Sequence, residues 1–182
     1  METERPETDT GDSFSTDGLY LYEDAAEGYG DDVTVTDELT LLSFSLGDEW
    51  YAIDVTSVIE VLEMQPVTKL PHLPDHVVGV ANVRGSVTSV IDLLRLMRTG
   101  HMEPRLDTRI VVVESGGMVT GLMADEVGAV LTVTADSIQP PLSTVPEAEA
   151  ALSRGQVRLE DSTVLTLLDV ESVTRSERTV LE

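Results

Sequence analysis

The sequence predicts a mainly β fold of two small barrels, with about five strands each and few, short helices. Three observations predict it. From Glu38 onward the chain consists of short runs rich in Val, Ile, Leu and Thr, separated by Gly, Pro and Asp pairs, a pattern typical of strands. Two glycine turns each join a pair of these runs, and the order of the runs in the first half of the chain recurs in the second.

Two hairpins are the clearest elements. Runs 39–46 and 49–55 flank Gly47-Asp48, and runs 109–114 and 118–124 flank Ser115-Gly116-Gly117, as expected of strands joined by tight turns. Further strands are predicted at 58–64, 77–83, 86–93, 129–133 and 163–168. Helices are predicted at 93–99 and at 146–153, where Pro146 and two glutamates suit a first turn.

The repeat divides the β-rich region. Each hairpin is followed by another strand and then by an apolar run that ends in aspartate, Asp92 in the first half and Asp169 in the second. Two barrels side by side would remove exposed strand edges, and the groove between them would be a natural binding surface. One sandwich of about ten strands remains an alternative.

The charge of the chain restricts its partners. There are 34 acidic and 11 basic residues, a net charge of −23, and one lysine, Lys69. This field opposes binding to nucleic acid or to anionic lipid. Because the acids are spread over the whole chain, we expect adaptation to a salty cytoplasm, and a halophilic archaeon as the source.

The chain is expected to contain three regions. Residues 1–37 hold twelve acids, one base and little apolar surface, which predicts a disordered tail; its apolar island at 19–22 is either a docking motif or chance. A domain at 38–174 follows, with halves at about 38–100 and 107–174, and then a C-terminal tail at 175–182. Without cysteine, signal peptide or membrane span, a cytoplasmic protein is expected.

No group of residues predicts a catalytic, metal or cofactor site. Prolines interrupt the segment between His72 and His76, so a structural loop is favoured over a metal site. Asp92, Asp125 and Asp169 each close an apolar run, where aspartate commonly caps a turn or helix. Nucleophile elbows and phosphate loops are absent. An acid-pair hydrolase using Asp92 or Asp125 is the alternative from another functional class.

One motif contains a residue that a purely structural role does not explain. Asn82-Val83-Arg84-Gly85 lies between two strands, and Gly85 and Asn82 suit a turn. Arg84 is not needed for the turn, but its guanidinium brings five donors and a planar face that are useful in recognition.

The residues around this motif resemble the central block of the CheW family. That block is an apolar Gly-Val-x-Asn-x-Arg-Gly followed by a strand ending in Ile-Asp-Leu, and it corresponds to 78–93 here. Segments 46–61 and 121–127 resemble the opening hairpin and its counterpart in the second half, and the resemblance covers about 39–174. Ser89 and Ala81 depart from the proline and isoleucine that many members carry.

The resemblance implies two intertwined five-stranded SH3-like barrels, no cofactor, and an adaptor that couples chemoreceptors (methyl-accepting chemotaxis proteins) to the histidine kinase CheA. An adaptor for a different CheA-type kinase would have the same core. By resemblance, the receptor-binding residues are Val58, Glu60, Gly79, Asn82, Arg84 and Gly85. The regulatory domain of the kinase would bind near Thr108, Ile110, Val112 and Leu122.

Overall fold

The computed structural model describes residues 37–181, with side chains as far as residue 176. The predicted acidic tail, except for Asp37, and its apolar island therefore lie outside the described residues. The strands are β1 Glu38–Leu46, β2 Glu49–Asp54, β3 Val58–Glu63, β4 Val77–Val83, β5 Ser86–Ile91, β6 Arg109–Ser115, β7 Met118–Ala124, β8 Glu126–Thr134, β9 Ser153–Arg158 and β10 Val164–Leu168. The helices are α1 Leu93–Leu96, α2 Glu147–Ala150 and α3 Val170–Leu181, with 3-10 turns at Val55–Ser57 and Ala135–Ser137.

The strands form two five-stranded sheets, and this confirms the mainly β, two-subdomain fold. Their orders are β8-β1-β2-β10-β9 in sheet A and β3-β6-β7-β5-β4 in sheet B. Each sheet combines strands from both sequence halves. The two orders become identical when each strand of the first half is matched to the strand five positions later. The repeat is therefore real, but the halves are intertwined rather than packed as separate barrels.

Alternation along the first hairpin explains how sheet A buries both of its faces. Leu42 and Phe44 on β1 and Tyr51 on β2 belong to the large core that also contains the strands of sheet B. Leu41 on β1 and Ala52 on β2 belong to a small second core within sheet A. Successive residues of a strand point to opposite faces, so this hairpin joins the two cores.

Two elements differ from the sequence prediction. Strand β9 occupies a segment that was predicted as the end of a helix followed by a connection, because its backbone pairs with β10 and, at Gln156, with Gln139. Helix α3 replaces most of the predicted tail at 175–182. It forms because Val170, Val173 and Thr174 are buried at helical spacing.

The capping aspartates have unequal environments. Asp92 is 1% exposed; its Oδ1 accepts hydrogen bonds from the backbone N–H of Leu94 at 3.0 Å and of Arg95 at 3.3 Å, and its Oδ2 accepts one from Met102 at 2.8 Å. At the start of α3, half-buried Asp169 accepts hydrogen bonds from Glu171 and Ser172. The helix-capping prediction is confirmed for both residues.

Asp125 has another role. Its Oδ2 accepts a hydrogen bond from the backbone N–H of Gly47 at 2.7 Å, and its own N–H donates to the carbonyl of Ser45. It therefore ties the end of β7 to the β1–β2 turn and caps no helix.

Candidate partner-binding surface

The tip of the β4–β5 hairpin is a two-residue turn. Val83 pairs with Ser86, and the residues between them, Arg84 and Gly85, have φ angles of 50° and 85°. Positive φ at both central positions is the requirement of a type I′ turn. The side-chain oxygen of Asn82 accepts a hydrogen bond from the N–H of Gly85 at 2.8 Å. Arginine is an unusual residue at the first central position and carries backbone strain there.

An ion pair joins this turn to strand β3. Arg84 Nε lies 2.8 Å from Glu60 Oε1, and the two side chains are 76% and 13% exposed. That oxygen is buried and receives no aligned hydrogen bond, so the contact is mainly electrostatic. A partly buried carboxylate thus holds an exposed guanidinium, which keeps other donors free for a partner.

Gly79 allows strand β4 to pass close to Thr68 and is not itself exposed. Its φ is 153°, and a Cβ on this residue would lie 2.4 Å from the carbonyl oxygen of Thr68. Thr68 and Val80 exchange two backbone hydrogen bonds at this crossing. Gly79 is buried, so the receptor role expected of it can only be indirect, through the position of β4.

Val58 and Val87 mark the apolar margins of the surface. Half-buried Val58 packs against the large core. Val87, which the sequence reasoning did not select, is 77% exposed and pairs with Asn82 across the hairpin. The sequence holds no clear signal for this exposure, because on β5 the polar residue Thr88 is buried while apolar Val87 lies outside.

The four residues expected to bind the kinase lie inside the protein. Ile110, Val112 and Leu122 are completely buried, and so is Thr108. Ile110 and Val112 are on β6, the middle strand of β3-β6-β7, and Leu122 is on β7. A direct contact through these side chains is excluded in the folded protein, because each is enclosed by its neighbours. The residues build the core beneath the surface.

Of these four residues, Thr108 borders an open polar cleft of about 640 Å³ between the sheets, which more exposed groups also line. Val61 of β3 contributes an exposed methyl face. Arg105 and Arg109 lie in the same lining as Asp107 and Asp125. The cleft combines apolar and charged groups of both signs, a composition suited to a protein partner.

The histidine segment and Asp92 do not form a reactive site. The segment from His72 to His76 forms turns, and no three potential metal ligands converge within the described residues. Asp92 is enclosed by backbone donors and has no free face for a substrate. None of the helices in the described part of the chain is long and apolar enough to cross a membrane.

These features define a class of protein: a β scaffold that acts through its surfaces. The CheW-like domain family matches residues 40–178. The chain is 31% identical over 137 residues to chemotaxis protein CheW of Rhizobium meliloti (strain 1021), an alignment that covers 75% of this chain and 88% of the relative. It is 31% identical over 140 residues to chemotaxis protein CheW of Klebsiella aerogenes, covering 77% and 84%.

A solved structure is also similar. It is the crystal structure of scaffolding protein TtCheW from Thermoanaerobacter tengcongensis, with a TM-score of 0.65 and 30% identity over 72% of this chain and 84% of that one. The chain belongs to the CheW-like family. It is accordingly a chemotaxis adaptor, a scaffold protein and not an enzyme.

Proposed function

We propose that this protein couples the cytoplasmic signalling tip of chemoreceptors to the regulatory domain of CheA, with the receptor bound at the β4–β5 turn. The observation that carries the proposal is Arg84, which is strained, exposed and held by Glu60. A turn alone gains nothing from arginine at this position, because asparagine or glycine would fit it without strain. Strain maintained at an exposed residue supports a recognition role.

The receptor-binding surface consists of Glu60, Asn82, Arg84 and Gly85, with Val87 added from the structure. Glu60 fixes the direction of Arg84, and the type I′ turn presents the guanidinium beyond the sheet. The apolar face of Val87 lies beside these polar groups. Arginine is one of the residues enriched in binding hot spots, and a neighbouring apolar side chain such as Val87 would exclude water around it.

For the kinase, we propose the surface above Thr108, Ile110, Val112 and Leu122. The polar cleft with Val61, Arg105 and Arg109 offers accessible groups beside this buried set. Two separate surfaces would let one adaptor hold receptor and kinase at high effective concentration, so a signal passes without chemistry in the adaptor. A different CheA-type kinase could use the same surfaces, and binding to each purified kinase distinguishes the two pathways.

The decisive experiment measures binding to a receptor signalling-tip fragment and, separately, to the regulatory domain of CheA. Arg84→Ala should weaken receptor binding by about tenfold, which corresponds to about 1.4 kcal/mol, and leave kinase binding unchanged. The matched control is Arg158→Ala, because Arg158 is an exposed arginine at the end of β9, the counterpart of β4. Equal losses in both variants would refute the receptor surface, and a wild-type protein that binds neither partner would refute the adaptor proposal.

We also propose a cytoplasmic location, no membrane insertion and no nucleic-acid partner. The net charge of −23 supports the last of these. The same charge supports a halophilic archaeal source, because a Debye length of about 3 Å at 1 M salt screens the repulsion among acids. Circular dichroism during transfer to salt-free buffer should record unfolding; a fold that persisted there would contradict adaptation to salt.

A further inference from the structure

A polar cluster, in which Tyr51 and Glu149 are buried and Glu49 is exposed, joins helix α2 to strand β2. The Tyr51 hydroxyl lies 2.9 Å from Glu49 Oε2 and 3.2 Å from Glu149 Oε1. Tyr51 is completely buried and its ring stacks on Phe44. Glu149 is 4% exposed although it belongs to a helix of four residues. Glutamate is rarely buried to this extent unless it is paired or protonated.

The number of protons restricts this arrangement. A tyrosine hydroxyl has one proton to donate, and an ionised carboxylate can only accept. With both glutamates ionised, the Tyr51 hydroxyl can donate its proton to only one of them. The phenol oxygen then lies against the other carboxylate with no proton between the two oxygens. With one glutamate protonated, that acid donates to Tyr51 and Tyr51 donates to the other. Both observed contacts are then hydrogen bonds.

We propose that Tyr51, Glu49 and Glu149 form a proton-dependent latch that holds α2 against β2 when one carboxyl is protonated and loosens α2 when both are ionised.

The surrounding charges support Glu149 as the group that takes up the proton. Burial and the charge of Glu49 raise the pKa of Glu149, against a smaller lowering by the Tyr51 hydrogen bond. Burial, followed by the hydrogen bond to Glu49, raises the pKa of Tyr51 as well, so the phenol keeps its proton. Asp48 lines the same cleft and adds negative charge.

No compensating cation is found among the described residues facing the latch. Neither Glu49 nor Glu149 takes part in the ion pairs that Glu60, Asp92, Glu103 and Glu171 form in the described part of the chain. On β9, which packs beside α2, Gln156 is the residue that lines the cleft with Glu149, and it is uncharged. Glu147 is the other acid of α2 and is exposed.

The sign of the pH dependence follows from the raised pKa. Folded protein retains a proton on Glu149 that the unfolded chain has already released, so the stabilisation is complete below the ordinary pKa of 4.5 and is lost as pH rises through the raised value. Molar salt should change this little, because screening is weak for buried charges.

Release of α2 would alter two clefts. Ala148 and Ala151 face Arg95 and Leu96 of the first helix across one cleft, whereas Glu149 lines the other together with Trp50, the single tryptophan of the chain. Trp50 fluorescence therefore provides a built-in reporter of the latch.

The test follows the full chain from pH 4.5 to 9 at constant high salt. It records the ¹³C NMR shift of the Glu149 carboxyl, Trp50 fluorescence and the hydrogen-exchange protection factor of the Ala151 amide, which donates to Glu147 within α2. We expect the pKa of Glu149 to lie above its ordinary value of 4.5, with protection falling about tenfold as the pH rises through it. Glu149→Gln, which mimics the protonated acid, should abolish that fall, and Tyr51→Phe should lower protection at low pH.

The matched control is Glu147→Gln, which removes an exposed charge from the same helix and should retain the wild-type profile. The proposal is overturned if the Glu149 carboxyl titrates at its ordinary pKa of 4.5, or if Glu149→Gln shows the same fall in protection as the wild type. Should a variant fail to fold, the NMR titration of the wild-type carboxyl decides alone.

Discussion

Replacing the buried cap Asp92 by alanine should cost more stability than replacing the less buried cap Asp169. The side chain is 1% exposed and its two oxygens accept hydrogen bonds from three backbone N–H groups, those of Leu94, Arg95 and Met102. Two of these groups are free donors at the start of α1, and the third belongs to a buried residue ten positions further on. The carboxylate therefore fixes both the beginning of the helix and the connection that follows it.

The magnitude can be worked out from these contacts. Losing an N-cap costs about 1 kcal/mol, and leaving the buried N–H of Met102 without an acceptor costs roughly 2 kcal/mol. The ion pair with half-exposed Arg95, at 3.3 Å, adds well under 1 kcal/mol because solvent screens it. The expected loss is about 3 kcal/mol, a large part of the 5–15 kcal/mol typical of a domain.

The matched control is Asp169→Ala. Asp169 caps α3 at the equivalent place after β10, but it is half-buried and accepts one backbone hydrogen bond and one from a hydroxyl. Its replacement should cost about 1 kcal/mol.

Urea unfolding at constant high salt, with tryptophan fluorescence and circular dichroism as probes, measures both free energies of unfolding. Equal losses for the two alanine variants would refute the reasoning, since the difference depends on the buried Met102 donor. The free energy of unfolding of Asp92→Asn tests the same contacts. It keeps one acceptor but turns an NH₂ group toward a donor, so it should lie between the wild type and alanine.

Four further variants test the candidate surface and its support. Gly79→Ala should cost about 3 kcal/mol in urea unfolding, because its Cβ would overlap the Thr68 carbonyl at a strained φ. Gly47→Ala, with positive φ but open space, should cost about 1 kcal/mol; a larger loss at Gly47 would contradict the steric argument. Arg84→Asn should relieve the turn and leave stability within about 1 kcal/mol of wild type while receptor binding falls about tenfold, and retained binding would assign Arg84 to the turn alone. Val87→Ser should weaken the same binding several-fold without loss of stability, and unchanged binding in titration calorimetry would place Val87 outside the surface.

Local signals in the sequence predicted the elements that local chemistry controls. Glycine turns at Gly47 and Gly116 defined both hairpins, and Asp92 and Asp169 marked the helix starts. The Asn-x-Arg-Gly turn formed where it was expected, with Asn82 bonded to Gly85.

Elements that depend on distant partners could not be predicted in the same way. Strand β9 contains Arg, Gly and Gln, which are weak strand formers, and it is extended because β10 and Gln139 pair with it. The ion pair of Glu60 and Arg84 joins β3 to the end of β4, and these two strands stand at opposite ends of the strand order of sheet B.

The burial of the residues predicted to bind the kinase is indicated by a pattern in the sequence. Ile110–Val113 is an unbroken apolar run, and such runs are typical of strands buried on both faces. On β3 exposure alternates instead, with Ile59 and Val61 exposed and Glu60 half-buried.

The exchange of strands between the two halves has a consequence for how the chain can be divided. A cut in the connection at 101–107 would separate each hairpin from strands of its own sheet, so neither fragment contains a complete folding unit. Mixed together, the fragments could restore both sheets only by reassembling with each other. One half alone would find its missing strands in a second copy of itself, as a domain-swapped dimer. The adaptor has the strand arrangement that such a dimer would have, but its two halves are joined in one chain and carry different surfaces.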